Sequence, residues 1–493
     1  MVLPTVAVIG SGFSGLNSAI QLKKKLGIAA EIFEATKDIG GTWNYNTYPG
    51  CASDIESHLY SFSFELNPNW SHKYSPQKEI YAYLHKVAKK YDVHKQVQFS
   101  TNVIRATWVQ EIKKWELELS QPSVDEKNQI RHFDFIFSSI GTLRVPNIPK
   151  QSTSFEGKII HSASWDHNYD LTNKRVAVIG SGTSAIQIVP SILDRVTHLS
   201  SFQRTPAWVA PRQQFAYSPF IQWCFTYIPF LMFFYRAYIF FSSDFSFSRW
   251  GNASSKKAIE SRASIKRYME YIMTAYGRED LIPKLIPDFP VGCKRIGISD
   301  NYLAALCSPK TSVLRSPIKI VQGRTITTED GVETEVDALI LATGFNITGF
   351  LGELKVYGKD GVSLNQLWEE NVPKTYRTVS VHQFPNLFIL LGPGSVLGHN
   401  SVVTISESQV DYGIRMIKYM MKNKIASLDP TEKAQAKFSA DLQSKFEGTV
   451  WKGGCQSWYM NKDGEIQSLW PESVLKFIAM LRRVDYESDF IKG

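Results

Sequence analysis

The apolar positions of this 493-residue chain fall into short continuous runs separated by stretches of helical periodicity. The first run, Val6–Ile9, leads into Gly10-Ser11-Gly12-Phe13-Ser14-Gly15, then a helical pattern, then a second apolar run ending at Glu34. Continuous apolar runs are the mark of strands buried on both faces, so this stretch predicts strand, helix, strand. Helical periodicity returns at 80–91, and 97–99, 104–108 and 114–119 read as short strands. In the middle of the chain the run 176–179 enters Gly180-Ser181-Gly182-Thr183-Ser184-Ala185, followed again by a helical pattern and an apolar run ending at Arg204. Near the end, Trp470-Pro471-Glu472-Ser473 supplies a turn and a helix start ahead of Val474–Arg482. Alternating strands and helices predict an α/β fold with two doubly wound sheets.

The two glycine loops are copies that differ at one telling place. Glu34 and Arg204 both lie 24 positions past the first glycine of their loop (34 − 10 and 204 − 180). An acid there accepts hydrogen bonds from ribose hydroxyls, whereas an arginine suits a 2′-phosphate. In each loop the first glycine allows the tight turn, the second lets the backbone approach a pyrophosphate, and the third lets the helix pack on the strand. Gly10, Gly12, Gly15 and Glu34 are therefore expected to hold FAD. Gly180, Gly182, Thr183, Ser184 and Arg204 are expected to hold NADPH, its phosphates on the free N–H groups of a helix start. A second echo links 134–141 with 337–344: in both, an Asp stands seven positions before a Gly with an apolar strand between.

Composition narrows the class. Hydrophobic content of 43% and charged content of 20% are those of a globular protein. The net charge of +9 comes from dispersed Lys and Arg with no recognised nucleic-acid module, so no nucleic-acid partner is expected. The five cysteines, Cys51, Cys224, Cys293, Cys307 and Cys455, match neither a metal-site spacing nor a disulfide framework. Reduced thiols in an intracellular protein are the expectation, with no metal site. The chain opens almost directly on its first strand, leaving no expected room for a signal or transit peptide, and a cytoplasmic enzyme is the simplest reading. One segment complicates it. Residues 219–241 are long and apolar enough to cross a bilayer, but Pro229, Gln222 and Arg236 interrupt them. A buried or interfacial helical pair is expected, and a weak membrane contact through 219–241 stays open.

Three further stretches carry a family resemblance. Gly40-Gly41-Thr42-Trp43-Asn44-Tyr45-Asn46-Thr47-Tyr48-Pro49-Gly50-Cys51-Ala52-Ser53-Asp54 resembles the G-G-x-W-x(4)-Y-P-G-x(3)-D motif of class B flavoprotein monooxygenases. The stretch from Phe155 through Gly157 and His161 to Trp165 resembles the F-x-G-x(3)-H-x(3)-W fingerprint of Baeyer–Villiger monooxygenases. The third is Gly292-Cys293-Lys294-Arg295. Trp165 favours the Baeyer–Villiger branch over the related N- and S-oxygenating enzymes, where a Tyr or Phe is usual.

The resemblance implies a single-chain enzyme that keeps FAD and takes hydride from NADPH. It forms a C4a-peroxyflavin with O2 and inserts one oxygen beside a ketone carbonyl to give an ester or lactone. Sulfide oxidation is an admissible side activity. By the same resemblance Arg295 is the active-site arginine and Asp54 the acid that orients it, while Lys294 joins Arg204 on the 2′-phosphate. Thr42 and Trp43 lie along the flavin edge, and Trp458 belongs to a mobile loop closing over cofactor and substrate. His161 falls in a linker fingerprint and is not expected to be a general base. The implied domains are 1–148, the first part of the FAD-binding domain; 149–335, the NADPH-binding domain with a helical insertion at 213–284; and 336–493, returning to the FAD-binding domain. Two alternatives stand beside this reading: an N- or S-oxygenating flavin monooxygenase, and a non-oxygenating NADPH–flavin reductase.

Overall fold

The computed structural model describes residues 3–121, 128–346, 350–461 and 463–493. Two five-stranded parallel sheets organise it. The first runs, in spatial order, Leu387–Ile389, Phe135–Ser138, Val6–Ile9, Glu31–Phe33 and Val97–Gln98. The second runs Lys158–His161, Ala338–Leu341, Arg175–Ile179, His198–Phe202 and Thr311–Leu314. Strand for strand the two are alike, with each glycine loop leaving the third strand of its sheet. The central strands are fully buried, which accounts for their unbroken apolar sequence.

The Asp-to-Gly echo acquires a physical role here. Asp134 Oδ2 accepts from the backbone N–H of Thr5 at 2.8 Å, and Asp337 Oδ2 accepts from that of Arg175 at 2.9 Å. Each acid thus fastens the start of the strand that feeds a glycine loop. At the other end of the same strand pair, a Cβ on Gly10 would stand 2.7 Å from the Ser139 carbonyl, and one on Gly180 would stand 2.3 Å from that of Ala342. Both glycines also have positive φ, +98° and +124°. The neighbouring strand, and not only the turn, demands glycine there.

One boundary is corrected. The strand Ala338–Leu341 was expected to open the return to the first domain, but it pairs with Arg175–Ile179 and Lys158–His161 in the second sheet. An apolar strand reads the same in either sheet, and only its pairing decides which one it joins. The chain crosses back just after it, and the two crossings lie side by side. Pro146 bridges Phe345, and Asn147 N–H donates to the Gly344 carbonyl at 2.9 Å.

Between the fourth and fifth strands of the second sheet the chain leaves for its helical insertion, with helices at Pro219–Tyr227, Pro229–Phe245, Lys256–Ala275 and Ile282–Leu285. A two-residue parallel ladder, Val209–Ala210 against Gly297–Ile298, closes its neck. Among the described residues no single helix is long and apolar enough to cross a membrane. Pro219–Tyr227 and its successor pass that test only together, and they are bent by 107°. An antiparallel meander, Asn102–Val109, Lys114–Ser120 and Gln129–Phe133, packs its buried face, including Trp108 and Trp115, against the far side of the first sheet.

Candidate active site

The first glycine loop opens onto a cleft with about 1250 Å³ of atom-free space. Gly10, Gly12, Glu34, Thr42, Trp43 and Trp458 all line it. Gly15 does not. It faces the strand, where a Cβ would fall 1.9 Å from the Gly10 carbonyl. Gly12 and Gly41 meet backbone to backbone, a Cβ on Gly41 standing 2.9 Å from the Gly12 Cα, so two glycine turns together form the floor. Two observations suit a flavin dinucleotide. The buried Ser139 hydroxyl, on the cleft wall, has no hydrogen-bond partner. Val402, Val403 and Ser406 put the start of the long helix Val402–Asn423 on the cleft wall, where the positive end of its dipole favours an electron-rich edge. Glu34 is more engaged than its ribose-reading role suggests. Its Oε2 accepts from Ser11 N–H and Oγ at 2.9 and 2.6 Å, and its Oε1 accepts from Thr36 N–H and Oγ1 at 2.9 and 2.8 Å. A ribose hydroxyl would take the place of one of those two side-chain hydroxyls.

On the other side, Thr183 and Ser184 begin the helix Thr183–Ile192, and a Cβ on Gly182 would meet nothing within 4 Å. The loop therefore has free space where a pyrophosphate would lie. Arg204 is exposed at the end of its strand and, among the described residues, forms no hydrogen bond or ion pair. Lys294 stands close enough for Arg204 to act on it. Burial and the charge of Arg204 hold the Lys294 ammonium below its ordinary pKa, against a weaker opposing pull from Asp288. Two cations brought together without a matching anion fit a 2′-phosphate between them.

The Tyr-Pro-Gly part of the long motif is where the two domains meet. Tyr48 Oη donates to Gln187 Oε1 at 2.9 Å, and Gln187 Nε2 donates to the Ala52 carbonyl at 3.0 Å. Gly50 lies so near the helix that a Cβ would stand 2.6 Å from the Gln187 carbonyl. That contact carries the chain directly to Asp54. Asp54 Oδ2 accepts from both Nε and Nη2 of Arg295, at 2.8 and 2.6 Å, while Arg295 Nη1 donates to the Leu397 carbonyl at 3.0 Å. Burial works against the charge on Arg295, but Asp54 and the phenol of Tyr459 outweigh it and raise its pKa further. The guanidinium stays charged at any working pH. Tyr60 lines the cleft, and its hydroxyl oxygen accepts from Trp43 Nε1 at 3.2 Å, connecting the cleft wall with the Arg295–Asp54 pair beside it.

The expectation of five reduced thiols is corrected. Cys293 and Cys455 form a disulfide, leaving Cys51, Cys224 and Cys307 free. The partners are 162 residues apart, and only the fold brings them together. The bond joins the segment bearing Lys294 and Arg295 to the loop bearing Trp458 and Tyr459. Trp458 is exposed and stacks obliquely on Tyr459, with ring centroids 4.4 Å apart. Sequence reasoning misses Tyr459. It adjoins Trp458, but nothing in its spacing pairs it with Arg295. Tyr60 escapes it too, since it lies beyond the motif that ends at Asp54 and only the fold turns it to the cleft. His161 is buried on the edge strand of the second sheet, accepts from Ala163 N–H through Nδ1 at 3.1 Å, and does not line the cleft.

Comparison with known proteins follows the same lines. Residues 4–233 match the family model described as flavin-binding monooxygenase-like. A Baeyer–Villiger monooxygenase of Pseudomonas aeruginosa is 37% identical over 97% of this chain and 90% of its own length. This chain belongs to the Baeyer–Villiger monooxygenase family. Its fold is likewise that of solved family members. A crystal structure of OTEMO in complex with FAD and NADP superposes with a TM-score of 0.87 at 26% identity, covering 100% of both chains. A closed crystal structure of cyclohexanone monooxygenase gives 0.86 at 26% identity, again covering 100% of both chains. As a Baeyer–Villiger monooxygenase, the chain has an α/β architecture with FAD and NADP domains.

Proposed function

We propose that this protein is an FAD-dependent, NADPH-driven monooxygenase that inserts one atom of O2 beside a ketone carbonyl, giving an ester or lactone. The observation that carries the reading is the Arg295–Asp54 pair standing beside the cleft that the flavin-type glycine loop opens onto, reached through Tyr60 on its wall, with Lys294 of the Arg204–Lys294 cation pair adjoining that arginine in the chain. FAD, when bound and reduced by NADPH, would supply the activated oxygen. The chain's own residues supply the rest. Gly10, Gly12, Glu34, Thr42 and Trp43 hold FAD, and Gly15 packs its helix. Gly180, Gly182, Thr183, Ser184, Arg204 and Lys294 hold NADPH, the two cations selecting for the 2′-phosphate. Arg295 keeps a fixed positive charge where negative charge builds on oxygen, and Asp54 aims it. Tyr459 adds a second contact to the same guanidinium, and Trp458 closes the cleft from solvent.

The test is a panel of cyclic, linear and aryl ketones with purified enzyme, FAD, NADPH and O2, with products identified by mass spectrometry. Ester or lactone containing one 18O from 18O2 supports the reading. Oxidation of a thioether with no ester from any ketone transfers the enzyme to the N- and S-oxygenating class. NADPH oxidation that yields only hydrogen peroxide with every substrate makes it a reductase.

A further inference from the structure

The helical pair Pro219–Tyr227 and Pro229–Phe245 leaves much of its aromatic surface in water. Phe230 is 75% exposed, Phe220 and Phe245 are each 72%, and Tyr238 is 69%. Exposed aromatics of this density are rare on a soluble surface and mark a contact site. The pair turns inward with only a few side chains. Phe225, Met232 and Ile239 are buried, and Arg236 donates to the carbonyls of His58 and Leu59 and to Ser61 Oγ. The exposed rings are therefore what remains after the pair has docked on its own protein.

We infer that this pair is a monotopic membrane anchor, which seats its aromatic face in the interface of a bilayer carrying anionic lipid. Three observations choose lipid over a protein partner. The first is shape: the helices meet at 107°, and the side chains flanking the bend, Tyr227 and Phe230, are among the most exposed. Such a corner penetrates a fluid layer and makes a poor flat interface with a second copy. The second is chemistry. Trp223 and the tyrosines have an apolar body with a polar tip, the ring type that concentrates at headgroup depth. The third is charge. From Gln213 to Ser243 there is no Asp or Glu, and the first acid, Asp244, is buried and turned inward, accepting from Val474 N–H at 2.6 Å. Beyond it stand Arg249 and Lys257, with Lys257 Nζ donating to Ser248 Oγ at the end of the pair, while Lys256 is paired with Glu260 at 3.8 Å. An apolar face without acids and with a basic margin matches an anionic surface. The 107° bend and Arg236, bonded inward to the carbonyls of His58 and Leu59, favour a seat in the interface over a span.

Flotation of the FAD-loaded enzyme with phosphatidylcholine vesicles, with and without 30% phosphatidylserine, tests this without using turnover. Enzyme is expected in the vesicle fraction, more with phosphatidylserine, with the excess lost at high salt. The double substitution Phe230→Glu and Phe245→Glu is expected to lower partitioning about 100-fold. It should leave FAD content and oxidation of a small water-soluble ketone unchanged, which checks folding. Trp223→Ser gives a milder second variant with the same direction. Absence of wild-type enzyme from the vesicle fraction overturns the inference. So does flotation that the double variant does not reduce. Concentration-dependent self-association that the double variant abolishes, seen by light scattering without any lipid binding, overturns it in favour of a second copy. Failure of the ketone panel leaves the flotation result standing, so the two readings fail separately.

Discussion

Arg295 places two of its nitrogens, Nε and Nη2, on the same carboxylate oxygen of Asp54, at 2.8 and 2.6 Å. A planar guanidinium held this way has no freedom to rotate, and its remaining nitrogen is committed to Leu397. Charge and direction are both set before any substrate arrives, which is the condition for electrostatic stabilisation without reorganisation.

Replacing Arg295 by Ala is expected to lower ester formation by roughly 10²- to 10³-fold. Flavin bleaching by NADPH under nitrogen should persist. Arg295→Lys keeps the charge and loses the fork, so it should recover only part of the activity. Asp54→Asn should act in the same direction and more weakly. Stopped-flow reduction combined with product quantification separates the half-reactions, and loss of reduction in Arg295→Ala would refute this role.

Arg204→Ala and Lys294→Ala are each expected to raise the KM for NADPH by about 10- to 100-fold, the worth of a charge-assisted hydrogen bond. The KM for NADH should move little, since NADH lacks the 2′-phosphate. Equal weakening for both donors would contradict the assignment.

A non-reducing peptide map should contain a Cys293–Cys455 linked pair, with buried Cys51 and Cys307 alkylated only after denaturation and half-buried Cys224 alkylated before it. Closing so long a loop stabilises the fold by about 5 kcal/mol in the chain-entropy view. Dithiothreitol should therefore lower the Tm, and it should do so in wild type but not in Cys293→Ser/Cys455→Ser.

His58 is enclosed by Tyr217, Phe225 and Tyr235, and burial together with Arg236 lowers its pKa from 6.5 to about 3. Between those values the unfolded chain binds a proton that the folded one does not. The stability is therefore full above pH 6.5 and lost as pH falls, at about 1.4 kcal/mol per pH unit. His58→Phe keeps the ring and removes the proton. Its Tm should fall less than that of wild type from pH 6.5 to pH 5, and parallel curves for the two proteins would exclude His58 as a source of acid sensitivity.

Features set by neighbours along the chain are legible in the sequence itself. The twin loops, the strands that feed them and the C-terminal helix Val474–Arg482 depend on local period and turn chemistry. Gly10, Gly12, Thr42 and Trp43 lie in contiguous motifs near one end of the chain, whereas Trp458 is reached only through the family resemblance. What escapes is set by pairing across long separations. The strand Ala338–Leu341 carries no mark of the sheet it joins, and Cys293 carries none of Cys455. Tyr459 meets Arg295 only because that disulfide-bearing loop folds back on the insertion. The 134–141 and 337–344 echo is visible in outline, but only the fold shows that its acids hold strand ends.

The neck of the insertion has a mechanical consequence. Its ladder, Val209–Ala210 with Gly297–Ile298, begins two residues after Arg295, and a Cβ on Gly297 would collide with Ile186 Cδ1 at 2.1 Å. Gly297 thus rests against the helix that starts at the second glycine loop. The ladder is therefore a datum shared by both halves of the NADPH side: the strand that follows Lys294 and Arg295 is seated on the same helix that the second glycine loop begins, so the register of one is set by the other.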